Sequence, residues 1–183
     1  MIVLAIVGMA GAGKSEVSRI FERKGYKRIR FGDVTDEELR KENMPLNEEN
    51  ERRMRESLRR RHGMEAYAML NLPKIDDAIK MSPVVVDGLY SWEEYEFLSN
   101  YYGSDFRVVL VWSSPATRYA RLANRIVRPL TKEEAFSRDV AEILNLNKGG
   151  PIAMADYTII NEGSLEDLGN RSCNTIALFE RQL

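Results

Sequence analysis

The chain has almost no sulfur ligands or imidazole. Cys173 is the only cysteine and His62 the only histidine among 183 residues. An internal disulfide is therefore excluded, and a reducing, cytoplasmic setting is expected. Cys173 lies in an apolar helical pattern and reads as a small core residue. No second histidine or thiol exists to build a zinc cluster around His62, whose charge instead suits the end of a helix. A dominant charge is also missing. Lys and Arg total 27 against 28 Asp and Glu, for a net charge of −1. This argues against a nucleic-acid partner, although it leaves room for a local basic patch. No apolar run approaches the roughly 20 residues of a membrane span, so no membrane partner is expected. Repeats, low-complexity tracts and Pro/Gly linkers are absent, and the length suits one domain. The first residues read as a strand rather than a secretory signal. Oligomeric state is not legible.

What is present starts at residue 2. Ile2-Val3-Leu4-Ala5-Ile6-Val7 is an apolar, β-branched run of the kind found in a buried parallel strand. Gly8-Met9-Ala10-Gly11-Ala12-Gly13-Lys14-Ser15 follows and fits G-x-x-x-x-G-K-[ST]. Val17, Ile20, Phe21 and Lys24 then recur at helical spacing. Strand, glycine loop and helix N-terminus together make an anion site, in which backbone N–H groups curl around phosphate oxygens. In that P-loop reading Lys14 reaches the β/γ-phosphates and the Ser15 hydroxyl ligates Mg²⁺. ATP and Mg²⁺ are the expected cofactors. No base-reading motif is visible, so ATP and GTP are not distinguished.

The rest of the chain alternates strand and helix. Strands are predicted at 27–31, 83–87, 106–112 and 156–160. Asp33 is a candidate N-cap, with acids in the first turn that follows. A polar helix is expected from about Asn47 to His62, ended by Gly63. Another runs from Met64 to Leu72 and is expected to stop at Pro73. Ser91/Glu94 and Thr131/Glu134 are capping boxes, and Ser114-Pro115 opens a helix. Lys148-Gly149-Gly150-Pro151 is read as a helix break, and the last helix begins at Ser164. This order predicts an α/β, P-loop NTPase fold with a five-stranded parallel sheet covered by helices on both faces. We expect one domain over 1–183. Its core is 1–33, 82–126 and 132–183, with a helical acceptor-binding insertion at 34–81 and a short lid at about 125–131.

Ligands in such folds gather at the carboxyl ends of strands. Asp87 ends Val84-Val85-Val86 and suits the Mg²⁺ shell, or else caps the turn at Gly88. Asp33 either orients an acceptor hydroxyl or caps its helix. Arg118, Arg121, Arg125 and Arg128 are spaced three, four and three apart, so they share one helical face or lie on a helix running into a loop. Arg125 and Arg128, bracketed by Pro129 and Thr131, read as lid arginines that close over a transferring phosphate. A solvated basic face is the alternative. Arg52, Arg55 and Arg59 also share a face. They read either as phosphate binders or as partners of Glu48, Glu49, Glu51 and Glu56.

These segments resemble the nucleoside-monophosphate-kinase branch of P-loop proteins along essentially the whole chain. Gly32-Asp33-Val34 and Val86-Asp87-Gly88 are similar to adenylate kinase segments that line the monophosphate pocket. Asp33 also stands where dephospho-coenzyme A kinases carry a catalytic Asp. Ala155–Gly163 looks like the final-strand signature of that enzyme, which implies that Asn161 and Gly163 lie near the adenine of ATP. Gly13–Glu16, Asp87–Ser91 and Ile152–Asp156 resemble archaeal proteins related to both. The resemblance implies an ATP-dependent phosphotransferase acting on a small-molecule nucleotide acceptor, like AMP or dephospho-coenzyme A. Tyr90 departs from the pattern, because adenylate kinases carry a phosphate-binding arginine there and tyrosine cannot replace its charge. Glu16 stands where many relatives carry threonine. A nucleotide-dependent ATPase or switch acting on RNA or protein is the competing expectation.

Overall fold

Val3–Val7 forms the central strand, β1, and all five of its side chains are buried. A continuous apolar run has no solvent face, so such a strand needs neighbours on both edges and helices on both sides. The computed structural model describes residues 1–126 and 128–181 and supplies both. Val127 of the expected lid and the last two residues of the expected core lie outside the described residues. The other strands are β2 (Lys27–Arg30), β3 (Val84–Asp87), β4 (Phe106–Trp112) and β5 (Tyr157–Ile160). The sheet order is β2-β3-β1-β4-β5, and every pairing is parallel.

Two helical layers cover the sheet. Helices α1 (Lys14–Arg23) and α9 (Leu165–Glu180) pack Val17, Phe21, Leu168 and Phe179 against Leu4, Ile6, Val109 and Val111. On the other face Val3, Ala5, Val84 and Val86 meet side chains from α2 (Asp33–Lys41), α3 (Glu48–His62), α4 (Ala66–Ile79) and α5 (Trp92–Tyr102). Helices α2 to α4 lie between β2 and β3, where the insertion is expected. Helices α6 (Pro115–Ala123) and α7 (Lys132–Leu146) form a smaller cluster with the P-loop through Ala10, Leu122 and Ala135. The capping boxes at Ser91/Glu94 and Thr131/Glu134 are both formed, and Asn47, Ser114 and Ser164 cap their helices.

Three local expectations need correction. Pro73 does not stop its helix, because α4 continues to Ile79. An interior proline costs about 3 kcal/mol, whereas burying a large apolar side chain returns about 1.5–3 kcal/mol. Tyr67 and Ile75, on either side of Pro73, are both buried, and together they outweigh it. Asp33 is not the cap of α2. Gly32 holds that position without a side-chain bond, and Asp33 pairs with Arg30 at 3.0 Å instead. The break after α7 falls at Asn147, in left-handed geometry, and Gly149–Ala153 forms a short helix, α8.

Candidate active site

The P-loop takes its shape from glycines that nothing larger can replace. Gly13 caps α1 in left-handed geometry, φ 99°. A Cβ there would run into the Asn161 amide, and one at Gly8 into the Val111 carbonyl. The loop is thus a cradle of backbone N–H groups with no side chain in the way. Lys14 folds back on it, its ammonium donating to the Met9 carbonyl at 3.1 Å. Burial, helped by the nearby charge of Lys148, pushes the Lys14 ammonium down to about 7; Glu142 and Asp87 oppose that shift. Ser15 is exposed in the first turn of α1.

Long-range contacts brace this loop. The Asn161 side chain, at the end of β5, donates to the Ala12 carbonyl at 2.8 Å. Arg121 in turn donates to Asn161 Oδ1 at 3.3 Å and to Ser113 Oγ at 3.1 Å. Arg118 is only 4% exposed. It grips Asp139 through two hydrogen bonds of 2.9 and 2.7 Å and donates to the Ala10 carbonyl at 3.1 Å. The arginine row therefore does not act as one face. Arg118 and Arg121 turn inward and hold the loop, although sequence spacing makes them equivalent to Arg125 and Arg128. A recess of about 200 Å³ opens beside the loop, lined by Gly13, Glu16, Arg121, Asn161, Gly163 and the leucines of α9.

Asp87 lies in register with Ile6 on the neighbouring strand, two residues before Gly8. Arg28 binds its Oδ2, with Nε at 3.2 Å, and no hydrogen bond to Oδ1 is made among the described residues. A free carboxylate oxygen and the Ser15 hydroxyl beside the cradle are the hard oxygen donors that Mg²⁺ favours, so these residues fit the ion. Asp33 is at the same sheet edge, half-exposed on its ion pair with Arg30. Among the described residues neither lid candidate is bonded to the P-loop. Arg128 binds Glu48 at 2.8 Å and Glu51 at 3.2 Å, which ties it to α3. Arg125 is exposed and has no hydrogen bond or ion pair among the described residues; partial burial and the charge of Arg138 hold its pKa down.

Sequence reasoning missed a group of buried charged side chains around Tyr90. Lys148 is 1% exposed, with its ammonium 2.6 Å from Glu142 and 5.6 Å from the centre of the Tyr90 ring. Glu94 is fully buried, accepts from the Tyr90 N–H at 2.7 Å, and is pushed up to about 7 by burial. Arg59 lies over the Tyr67 ring at 5.2 Å, whereas Arg52 and Arg55 pair with α3 acids. Burial raises the Tyr90 hydroxyl above its ordinary range, so it stays protonated. The capping box flagged Glu94 but not its burial. Nothing in Lys-Gly-Gly-Pro separates a buried lysine from a loop lysine.

Two comparisons with known sequences agree on the family. The family model described as "AAA domain" matches residues 4–144. The UPF0200 protein of Pyrococcus furiosus is 36% identical over 170 residues, covering 91% of each chain. The chain belongs to the AAA-domain family and to the UPF0200 proteins. Among solved structures, this UPF0200 chain shares its fold with a shikimate kinase from Bacteroides thetaiotaomicron. That match has a TM-score of 0.63 and 14% identity, over 98% of both chains. A gluconokinase from Sinorhizobium meliloti aligns at TM-score 0.61 and 16% identity, over 99% of this chain and 94% of its own. Identities this low speak to the fold alone: a parallel five-stranded sheet with a P-loop.

Proposed function

We propose that the chain is an ATP-dependent phosphotransferase acting on a small nucleotide-like acceptor of the AMP or dephospho-coenzyme A type. One observation carries this reading. The glycine cradle of β1–α1 and the carboxylate of Asp87 share one sheet edge, with a buried polar group of Arg59, Glu94 and Lys148 on the acceptor side. The P-loop, Gly8 through Ser15, takes the phosphates of ATP. Lys14 leaves the Met9 carbonyl for the β/γ-phosphates, exchanging a neutral acceptor for a charged one. The recess at Asn161 and Gly163 takes the base. Ser15 and Asp87 would hold Mg²⁺, which when bound would supply neutralisation of charge on the group being transferred. Asp33 orients the acceptor. When the acceptor atom is a hydroxyl oxygen, a new P–O bond forms there, the bond to the β-phosphate breaks, and the hydroxyl proton passes to Asp33. Arg125 and Arg128 serve as lid residues once Arg128 releases Glu48 and Glu51. Catalysis is then positioning and electrostatics.

The test is incubation with labelled ATP and a panel of AMP, CMP, UMP and dephospho-coenzyme A. Acceptor-dependent transfer of label, depressed in Asp33→Asn with MgATP binding intact, supports the kinase. Hydrolysis alone, stimulated by RNA or a protein, would replace it with a nucleotide-driven switch.

A further inference from the structure

Lys148 is the group that the proposed reaction leaves unused and that costs most to bury. An ammonium carries three donors, and Lys148 spends one, on Glu142 Oε2 at 2.6 Å. Among the described residues its other polar contact is the face of the Tyr90 ring. Glu142 is not its alone. Arg138 donates to the other oxygen of that carboxylate at 3.2 Å, and the charge of Lys14 also acts on it. Lys148, Arg138 and Lys14 thus all act on Glu142, while Asp87 is already engaged by Arg28 and burial shifts Glu94, the other carboxyl on which Lys148 acts, toward its neutral form. A buried pair kept for stability alone needs one cation per anion, and an apolar pair would serve as well. A surplus of positive charge facing a phosphate cradle suits an anion that arrives with the substrate.

We propose that Lys148 is a second phosphate-binding lysine, donating to a terminal phosphoryl group beside Lys14 and supplying the charge that Tyr90 does not. Its ammonium already lies against the Tyr90 ring, and its charge acts on both Lys14 and Glu94. Glu142 keeps it there before the nucleotide binds, and Arg138 remains to neutralise Glu142 when Lys148 turns to phosphate. The phosphoryl group is either the γ-phosphate of the nucleotide or a phosphate of the acceptor. This assignment rests on the phosphotransfer reading above.

Calorimetry on the full chain with MgATP, MgADP and AMP separates these cases. Lys148→Met should weaken MgATP binding by roughly tenfold or more and leave MgADP within about twofold. Lys148→Arg should recover part of the loss. If the loss falls on AMP instead, the phosphate belongs to the acceptor. The double variant Glu142→Gln/Lys148→Met removes both charges of the pair, so no orphaned carboxylate unfolds the protein, and it should show the same selective loss. Thermal melting checks that it is folded. Wild-type affinities for all three ligands in both variants would overturn the assignment, as would equal losses for MgATP and MgADP. Should the wild type bind neither MgATP nor MgADP, the nucleotide site itself is wrong and this assignment falls with it.

Discussion

The surroundings of the P-loop and helices α3 to α5 treat their polar groups differently. Around the P-loop, Asn161, Arg121, Arg118, Ser113 and Asp139 form a closed set in which each side chain has a partner. Among the described residues, the buried side-chain polar atoms without a partner are Arg59 Nε, Asn71 Oδ1, Glu93 Oε2 and Glu94 Oε1. All four belong to α3, α4 and α5. An orphaned buried polar atom costs about 1–3 kcal/mol, so a fold does not gather several in one region without a reason. The difference teaches that the surroundings of the P-loop are satisfied within the fold, whereas α3 to α5 keep hydrogen-bonding capacity unspent, as the acceptor binding proposed above requires.

The largest expected effect breaks the donor side. Arg118→Ala leaves the buried Asp139 without its cation, with the Tyr119 hydroxyl still donating to it, and frees the Ala10 carbonyl. It should cost about 3–5 kcal/mol in denaturant unfolding. A loss near the value for a surface residue would mean that the brace is ornamental. Next comes Lys14→Ala. Its structural contact is one bond to the Met9 carbonyl, so stability should barely change, while MgATP binding or turnover should fall roughly 100-fold. An unaltered nucleotide titration would remove Lys14 from the site.

Glu94 sharpens the acceptor half through pH. Burial holds its carboxyl at about 7, against 4.5 in the unfolded chain, with Arg59 and Lys148 pulling the other way. The folded state therefore keeps a proton that the unfolded chain releases. The stability carried by that proton is complete below pH 4.5 and is lost as pH rises through about 7. Glu94→Gln is permanently neutral and still accepts from the Tyr90 N–H. Melting curves from pH 4.5 to 8 should lose a slope of up to about one proton. The smallest effect belongs to Arg128→Ala. Its pairs with Glu48 and Glu51 are exposed and should contribute no more than about 1 kcal/mol, fading with salt. A larger, salt-insensitive loss would show that the lid is fixed to α3 rather than resting on it.

Much of this was legible from residue order. β1, β3 and β4 follow from β-branched apolar runs, and the caps at Ser91, Ser114, Thr131 and Ser164 follow from local hydrogen-bond chemistry. The P-loop is legible for the same reason, since it is contiguous. Pro73 misled because its penalty is local while the packing that overrides it comes from Tyr67 and Ile75 against the sheet. The arginine spacing allowed a helix running into a loop, and α6 does end at Ala123, but spacing does not show what each arginine meets.

The sequence by itself determined the strands, the glycine cradle and the order of elements, because each depends on neighbours within a few residues; the alternation of strand and helix then implies a parallel sheet. Only the tertiary structure decided that Arg118 braces while Arg128 rests on α3, that Asn161 holds Ala12, and that Lys148 is buried against Tyr90. Those contacts join residues from 21 to 149 positions apart. Burial, which sets what a charge costs and what it does, is a property of the packed chain alone.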